Sequence, residues 1–169
     1  MQLYQISSGC RESKTHLSAK ERVADMVENG PGYLLVCVCE GGRWSTYRMD
    51  VKGCKPVYEC AWPTGEPVTD KNQYIVKHGR LPSMIFDVGL VRDSKVVAAI
   101  ELSLSHWIDF KKASKIAASK LLVLEVHAYH EQWKINDLSR IECEKLFLPL
   151  KPALDFRRLK LVNCHEYTV

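Results

Sequence analysis

A carboxylate inside an apolar run is hard to place in a folded chain, and residues 83–129 contain two such runs in succession. Met84–Val91 is apolar apart from Asp87 and Gly89, and Arg92-Asp93-Ser94-Lys95 follows as a polar turn. Val96–Leu104 is a second run, rich in β-branched residues, with Glu101 near its end. Trp107–Lys120 has helical spacing, and Leu121–Val126 is a third apolar run too short for a helix of its own. The stretch predicts strand, turn, strand, helix, strand, with Asp87 and Glu101 on neighbouring strands of one hairpin. A carboxylate in such surroundings needs a partner, a metal ion or the exposed end of a strand. Two converging carboxylates suit a hard divalent cation, Mg²⁺ or Mn²⁺, which takes oxygen ligands and keeps several waters. Such an ion activates water and neutralises charge on a phosphodiester. The same spacing also fits two ordinary strand residues that face solvent.

The order of these residues carries a resemblance. Asp87-Val88-Gly89-Leu90 is followed by Ala99-Ile100-Glu101-Leu102-Ser103-Leu104-Ser105-His106, then by Lys111-Lys112 and Lys115, then by Leu124-Glu125-Val126. Upstream stands Glu12-Ser13-Lys14-Thr15-His16-Leu17-Ser18-Ala19-Lys20. This arrangement resembles the PD-(D/E)xK nuclease superfamily, in particular its competence-protein CoiA-like branch, over roughly Glu12–Tyr129. The resemblance implies a restriction-endonuclease-like core, DNA as partner, and Mg²⁺ or Mn²⁺ held by Asp87 and Glu101. It also implies that the helix face bearing His16 and Lys20 looks toward the acidic pair. Two departures stand out. Pro82 lies well ahead of Asp87, and the signature lysine two positions after Glu101 is Ser103. That lysine orients water and stabilises developing negative charge, which a serine does not do. Lys111, Lys112 and Lys20 are the candidate substitutes; the alternative is a fold that has lost the reaction.

Elsewhere the chain is that of an ordinary globular protein. Its 169 residues, 46% hydrophobic and 26% charged, suffice for one domain with a real core. The expected division is a core over about 12–130 and a C-terminal extension over 131–169. The net charge of +4 is compatible with nucleic acid. No apolar run is long enough to span a bilayer, and MQLYQISSGCRESK lacks the pattern of a secretory signal. An intracellular protein, cytoplasmic or nuclear, is expected, without membrane association. A protein partner or a homodimer is compatible with the sequence. Seven cysteines, an odd number, point to reduced thiols. Cys37 and Cys39 fall on one face of a strand, where cysteine packs as a small hydrophobe. No CxxC pair occurs, so a Zn²⁺ site would need Cys54 and Cys60 joined by a distant group such as Cys164 or His165.

Ser13–Asn29 predicts the first helix, stopped by Gly30-Pro31-Gly32. Tyr33–Glu40 and Arg43–Val51 predict strands around a Gly41-Gly42 turn. Trp44, Tyr47 and Arg48 fit packing better than base stacking. Lys52–Arg80 resembles an insertion with a short strand at Val57–Ala61, and Tyr74–Lys77 is expected to lead into the Asp87 strand. Lys77-His78-Gly79-Arg80 is basic; Arg80 would contact phosphate or sit in a solvated turn. Four lysines on the Trp107–Lys120 helix, Lys115 among them, make either a soluble surface or a phosphate-tracking face. His106 would contact phosphate or water. A helix is expected from Asn136 or Asp137 through Phe147.

The expected architecture is therefore α/β, with a mixed central β-sheet flanked by helices and a C-terminal helical extension. The expected function is that of a metal-dependent DNA nuclease. A catalytically inactive nuclease fold that binds nucleic acid or protein, and a zinc-stabilised interaction module, are the alternatives.

Overall fold

The Ser13 hydroxyl accepts the His16 amide at 3.1 Å and so opens the first helix, α1 (Lys14–Asn29). The structure, a computed structural model, describes residues 13–104, 107–128, 137–143, 145–147 and 159–162. After α1 come β1 (Tyr33–Glu40), β2 (Arg43–Asp50), β3 (Lys55–Trp62), α2 (Lys71–His78), β4 (Met84–Arg92) and β5 (Lys95–Ser103). Then follow α3 (Phe110–Ser119), β6 (Leu122–His127), β7 (Arg140–Cys143), β8 (Lys145–Phe147) and β9 (Leu159–Val162). The fold is mixed α/β.

The strands form two sheets rather than the single one expected. One has the order β7-β1-β2-β9, the other β3-β4-β5-β6-β8. Both are mixed: β1 pairs β7 in parallel and β5 pairs β6 in parallel, while the remaining pairs are antiparallel. The five-stranded sheet is the middle layer. Val88, Leu90, Ile100 and Leu124 on one of its faces share a core with Val23 and Met26 of α1 and with Leu34, Val36 and Ile141 of the other sheet. Phe86, Ala99 and Val123 pack on the opposite side against Ile116 of α3. Covering both faces of β4, β5 and β6 explains why these strands read as nearly continuous apolar runs.

Two local expectations give way. Tyr74–Lys77 is not a strand lead-in but part of α2. Asp70 caps that helix by accepting the amides of Asn72 and Gln73, and Gly79 ends it in the left-handed region at φ 79°. The described part of 136–147 is β7 and β8, not a helix. Ile141 and Cys143 are buried while Arg140 is exposed and Glu142 half-buried, a period of two that suits a strand. Pairing with β1 also satisfies main-chain groups on that strand's outer edge.

The helix expected over Trp107–Lys120 begins later, at Phe110, where Asp109 accepts the Lys112 amide as its cap. Cys37 is buried, as expected of a small hydrophobe, but Cys39 is exposed. Tyr47 packs on the core, whereas Trp44 is largely exposed.

Candidate functional site

Strict alternation along β4 would put Met84, Phe86, Val88 and Leu90 on one face. Instead Met84 and Phe86 join the α3 side, and Val88 and Leu90 join the α1 side. The strand therefore changes face at Asp87. Glu59, between the β3 residues paired with Val88 and Phe86, has φ 47°, so β3 is distorted at the same level. Just beyond, Cys60 lies over Gly89, where a Cβ would come within 2.2 Å of its sulfur. Glycine is required there by close approach.

The β4–β5 ladder runs from Arg92↔Lys95 to Val88↔Ile100, and there the two strands part. Below that point β4 stays with β3, and β5 continues with β6. The two carboxylates fill the notch reciprocally. The Asp87 amide donates to Glu101 Oε1 at 3.1 Å, and the Leu102 amide donates to Asp87 Oδ2 at 2.7 Å. Each side chain thus accepts a main-chain N–H just beyond the end of the ladder.

Basic groups reach the notch from both helices. His16 of α1 places Nε2 3.0 Å from the Leu102 carbonyl oxygen and 3.4 Å from Asp87 Oδ2. Lys20, one turn on and only 2% exposed, pairs with Glu59 at 2.5 Å. From α3, Lys112 Nζ lies 2.9 Å from Glu101 Oε1 and donates to the Ile85 carbonyl at 2.8 Å.

The two carboxyls are held differently. Burial alone would push Asp87 up, but His16, the Leu102 amide and Lys20 outweigh it and hold the group below its ordinary range. Glu101 is pushed up to about 7 by burial and then by the negative charge of Asp87; Lys112 and the Asp87 amide oppose the shift without cancelling it.

The structure therefore brings together His16, Lys20, Asp87, Glu101 and Lys112. Ser103 is buried at the end of β5, and the amine beside Glu101 comes from Lys112. Lys111 and Lys115 line a neighbouring cleft. Arg80 is exposed in the loop between α2 and β4. Lys77 and His78, beside it, pair with Glu66. His106, Cys164 and His165 lie outside the described residues.

Two carboxylates escaped the sequence reading of the site. Glu59 pairs with Lys20, and Glu125, in register with Glu101 on β6, is buried and accepts the Ile108 amide at 3.1 Å. The signal that singled out Asp87, an acid inside an apolar run, applies equally to VYECAW and LLVLEVH.

Asp87 and Glu101 are the residues that could hold a hard cation. Among the described residues, the polar contacts of Asp87 run through Oδ2 and those of Glu101 through Oε1. Among the described residues no fully buried side-chain oxygen lacks a partner, and the side chains of Asp87 and Glu101 keep 18% and 14% of their surface exposed. Both side chains offer hard oxygens, the donors such a cation takes. Among the described residues there is no group of three His, Cys, Asp or Glu side chains placed to hold a metal, so waters and main chain would complete the shell. Of the cysteines considered for zinc, Cys60 is fully buried and its thiol is pushed up to about 11 by burial.

Comparison with protein-family models, with curated proteins and with solved structures gives no match. No helix among the described residues is long and apolar enough to cross a membrane.

Proposed function

We propose that this chain is a metal-dependent nuclease that hydrolyses phosphodiester bonds in DNA, with Asp87 and Glu101 as ligands of Mg²⁺ or Mn²⁺. The observation that carries this reading is the notch where β4 and β5 part, with two mutually repelling carboxylates and a lysine amine on one of them. When bound, the cation supplies a nucleophilic water and screens the phosphate. Asp87 Oδ1 and Glu101 Oε2 would hold it. Lys112 stabilises developing negative charge, the task that residue 103 does not perform in this chain. His16 orients Asp87 through Oδ2, and Lys20 adds positive charge behind it.

The test pairs Mn²⁺ calorimetry with cleavage of supercoiled, linear and single-stranded DNA. Asp87→Asn, which still accepts the Leu102 amide, is expected to lose both metal binding and cleavage. Lys112→Met is expected to bind Mn²⁺ but cleave roughly 100-fold more slowly, the usual scale for one electrostatic donor. A wild-type protein that neither binds Mn²⁺ nor cleaves any of the three substrates refutes the proposal. The second reading, a catalytically inactive nuclease fold, is favoured by Ser103. It predicts nucleic-acid binding without turnover.

A further inference from the structure

Beside the notch, α3 and the segment entering β4 enclose a cleft of about 330 Å³. Lys71, Lys111, Lys112 and Lys115 line it, against the single carboxylate of Asp109, whose Oδ1 already accepts the Lys112 amide. Lys115 Nζ donates to the Ser83 carbonyl at 3.0 Å and Lys112 Nζ to that of Ile85 at 2.8 Å, so both amines are fixed along the β4 wall. Among the described residues, Lys71, Lys111 and Lys115 form no ion pair. Phe110, at the first position of α3 between the lining residues Asp109 and Lys111, is 88% exposed.

We propose that this cleft binds single-stranded nucleic acid, with its phosphates on Lys71, Lys111 and Lys115 and a base stacked on Phe110. An exposed phenylalanine next to unpaired ammonium groups matches a polymer that alternates anions with flat aromatic faces. An acidic peptide offers the anions alone. A duplex keeps its base faces stacked inside, and a side chain reaches them only at the cost of unstacking a step. The inference extends the nuclease reading, because Lys112 joins the cleft to Glu101 and a bound strand would run toward the carboxylates.

The experiment uses the full chain in EDTA, so that binding is read without hydrolysis. A fluorescein-labelled 15-nucleotide strand and its duplex are titrated by anisotropy over a range of salt concentrations. The single strand is expected to bind at least tenfold more tightly. Lys111→Ala with Lys115→Ala is expected to reduce the salt slope by about 1.4, at roughly 0.7 per phosphate contact on a single strand. Phe110→Ala is expected to weaken binding roughly tenfold with an unchanged salt slope. Equal affinity for the duplex, an unchanged slope in the lysine variant, or equal competition by polyglutamate of matched charge overturns the inference. Single-strand binding without cleavage in Mn²⁺ refutes the nuclease reading alone, and cleavage without single-strand preference refutes this one alone.

Discussion

Glu101→Gln separates a carboxylate kept for function from one kept for stability. Burial and the charge of Asp87 raise Glu101 from its ordinary 4.5 to about 7. The folded state therefore holds a proton that the unfolded state releases between those two values, and stability falls as pH rises from about 4.5 to about 7. Above that window the loss is complete, at about 3 kcal/mol. Asp87 acts in a separate window: its folded value is depressed, so the stability it contributes is lost only as pH falls below its ordinary 3.8. Glutamine keeps the shape and still accepts the Asp87 amide and the Lys112 amine, though a neutral acceptor loses about 1 kcal/mol on the charged donor. The net expectation is a variant about 2 kcal/mol more stable than wild type at pH 8 and no more stable at pH 5. For a chain of this size that is roughly 4–8 °C in Tm.

Urea unfolding at both pH values, followed by tryptophan fluorescence and circular dichroism, reads the difference directly. A variant no more stable than wild type at pH 8, or a difference independent of pH, refutes the reasoning and makes Glu101–Lys112 a structural ion pair. Stabilisation accompanied by lost Mn²⁺ binding would mark a carboxylate retained against stability, as functional sites often show.

The neighbours of Glu101 should move its titration in opposite directions. Lys112→Met, which removes a positive charge, is expected to raise it, and Asp87→Asn, which removes a negative one, to lower it; carboxyl ¹³C shifts against pH report both. Movement in the same direction would break the assignment. Gly89→Ala puts a Cβ 2.2 Å from Cys60 Sγ and 2.5 Å from its Cβ, and is expected to cost about 1–3 kcal/mol of unfolding free energy. The penalty should shrink in a Cys60→Ala background, and an undiminished penalty would place the clash elsewhere.

How much of this was legible in the sequence depends on the range of the interaction. β1 appears over the expected residues Tyr33–Glu40, because a β-branched and apolar run followed by Gly41-Gly42 is a local signal. Asp87 and Glu101 were conspicuous for a local reason too, as charges inside apolar runs. α2 was missed because Tyr74-Ile75-Val76 resembles a buried strand, whereas Val76 is 87% exposed and the caps Asp70 and Gly79 decide the matter. The second sheet had no local signal. It depends on β7 docking beside β1 and β9 beside β2, partners separated by about a hundred residues that carry no mark of each other. The pairing of Lys20 with Glu59 is likewise long-range, so only one half of it drew notice.

The notch itself argues against the bland reading of Asp87 and Glu101 as solvent-facing strand residues. Such residues could sit on a continuous hairpin, with Asp87 opposite Glu101 in the next pair of the ladder. Here the ladder stops at Val88↔Ile100, and the two carboxylates accept the Asp87 and Leu102 amides. Bringing two negative charges together in a buried place is unfavourable on its face, as the raised Glu101 records. What the chain gains is a pair of carboxylates where two strands of one sheet part. Lys112 then supplies from α3 the amine that Ser103 does not supply from β5. Its anchor on the Ile85 carbonyl sits two residues before Asp87, so the amine and Asp87 are positioned by the same strand. On this argument the cation beside Glu101 is fixed by place in the fold rather than by place in the sequence, and Lys112→Met, not substitution of Ser103, is the change that should slow cleavage.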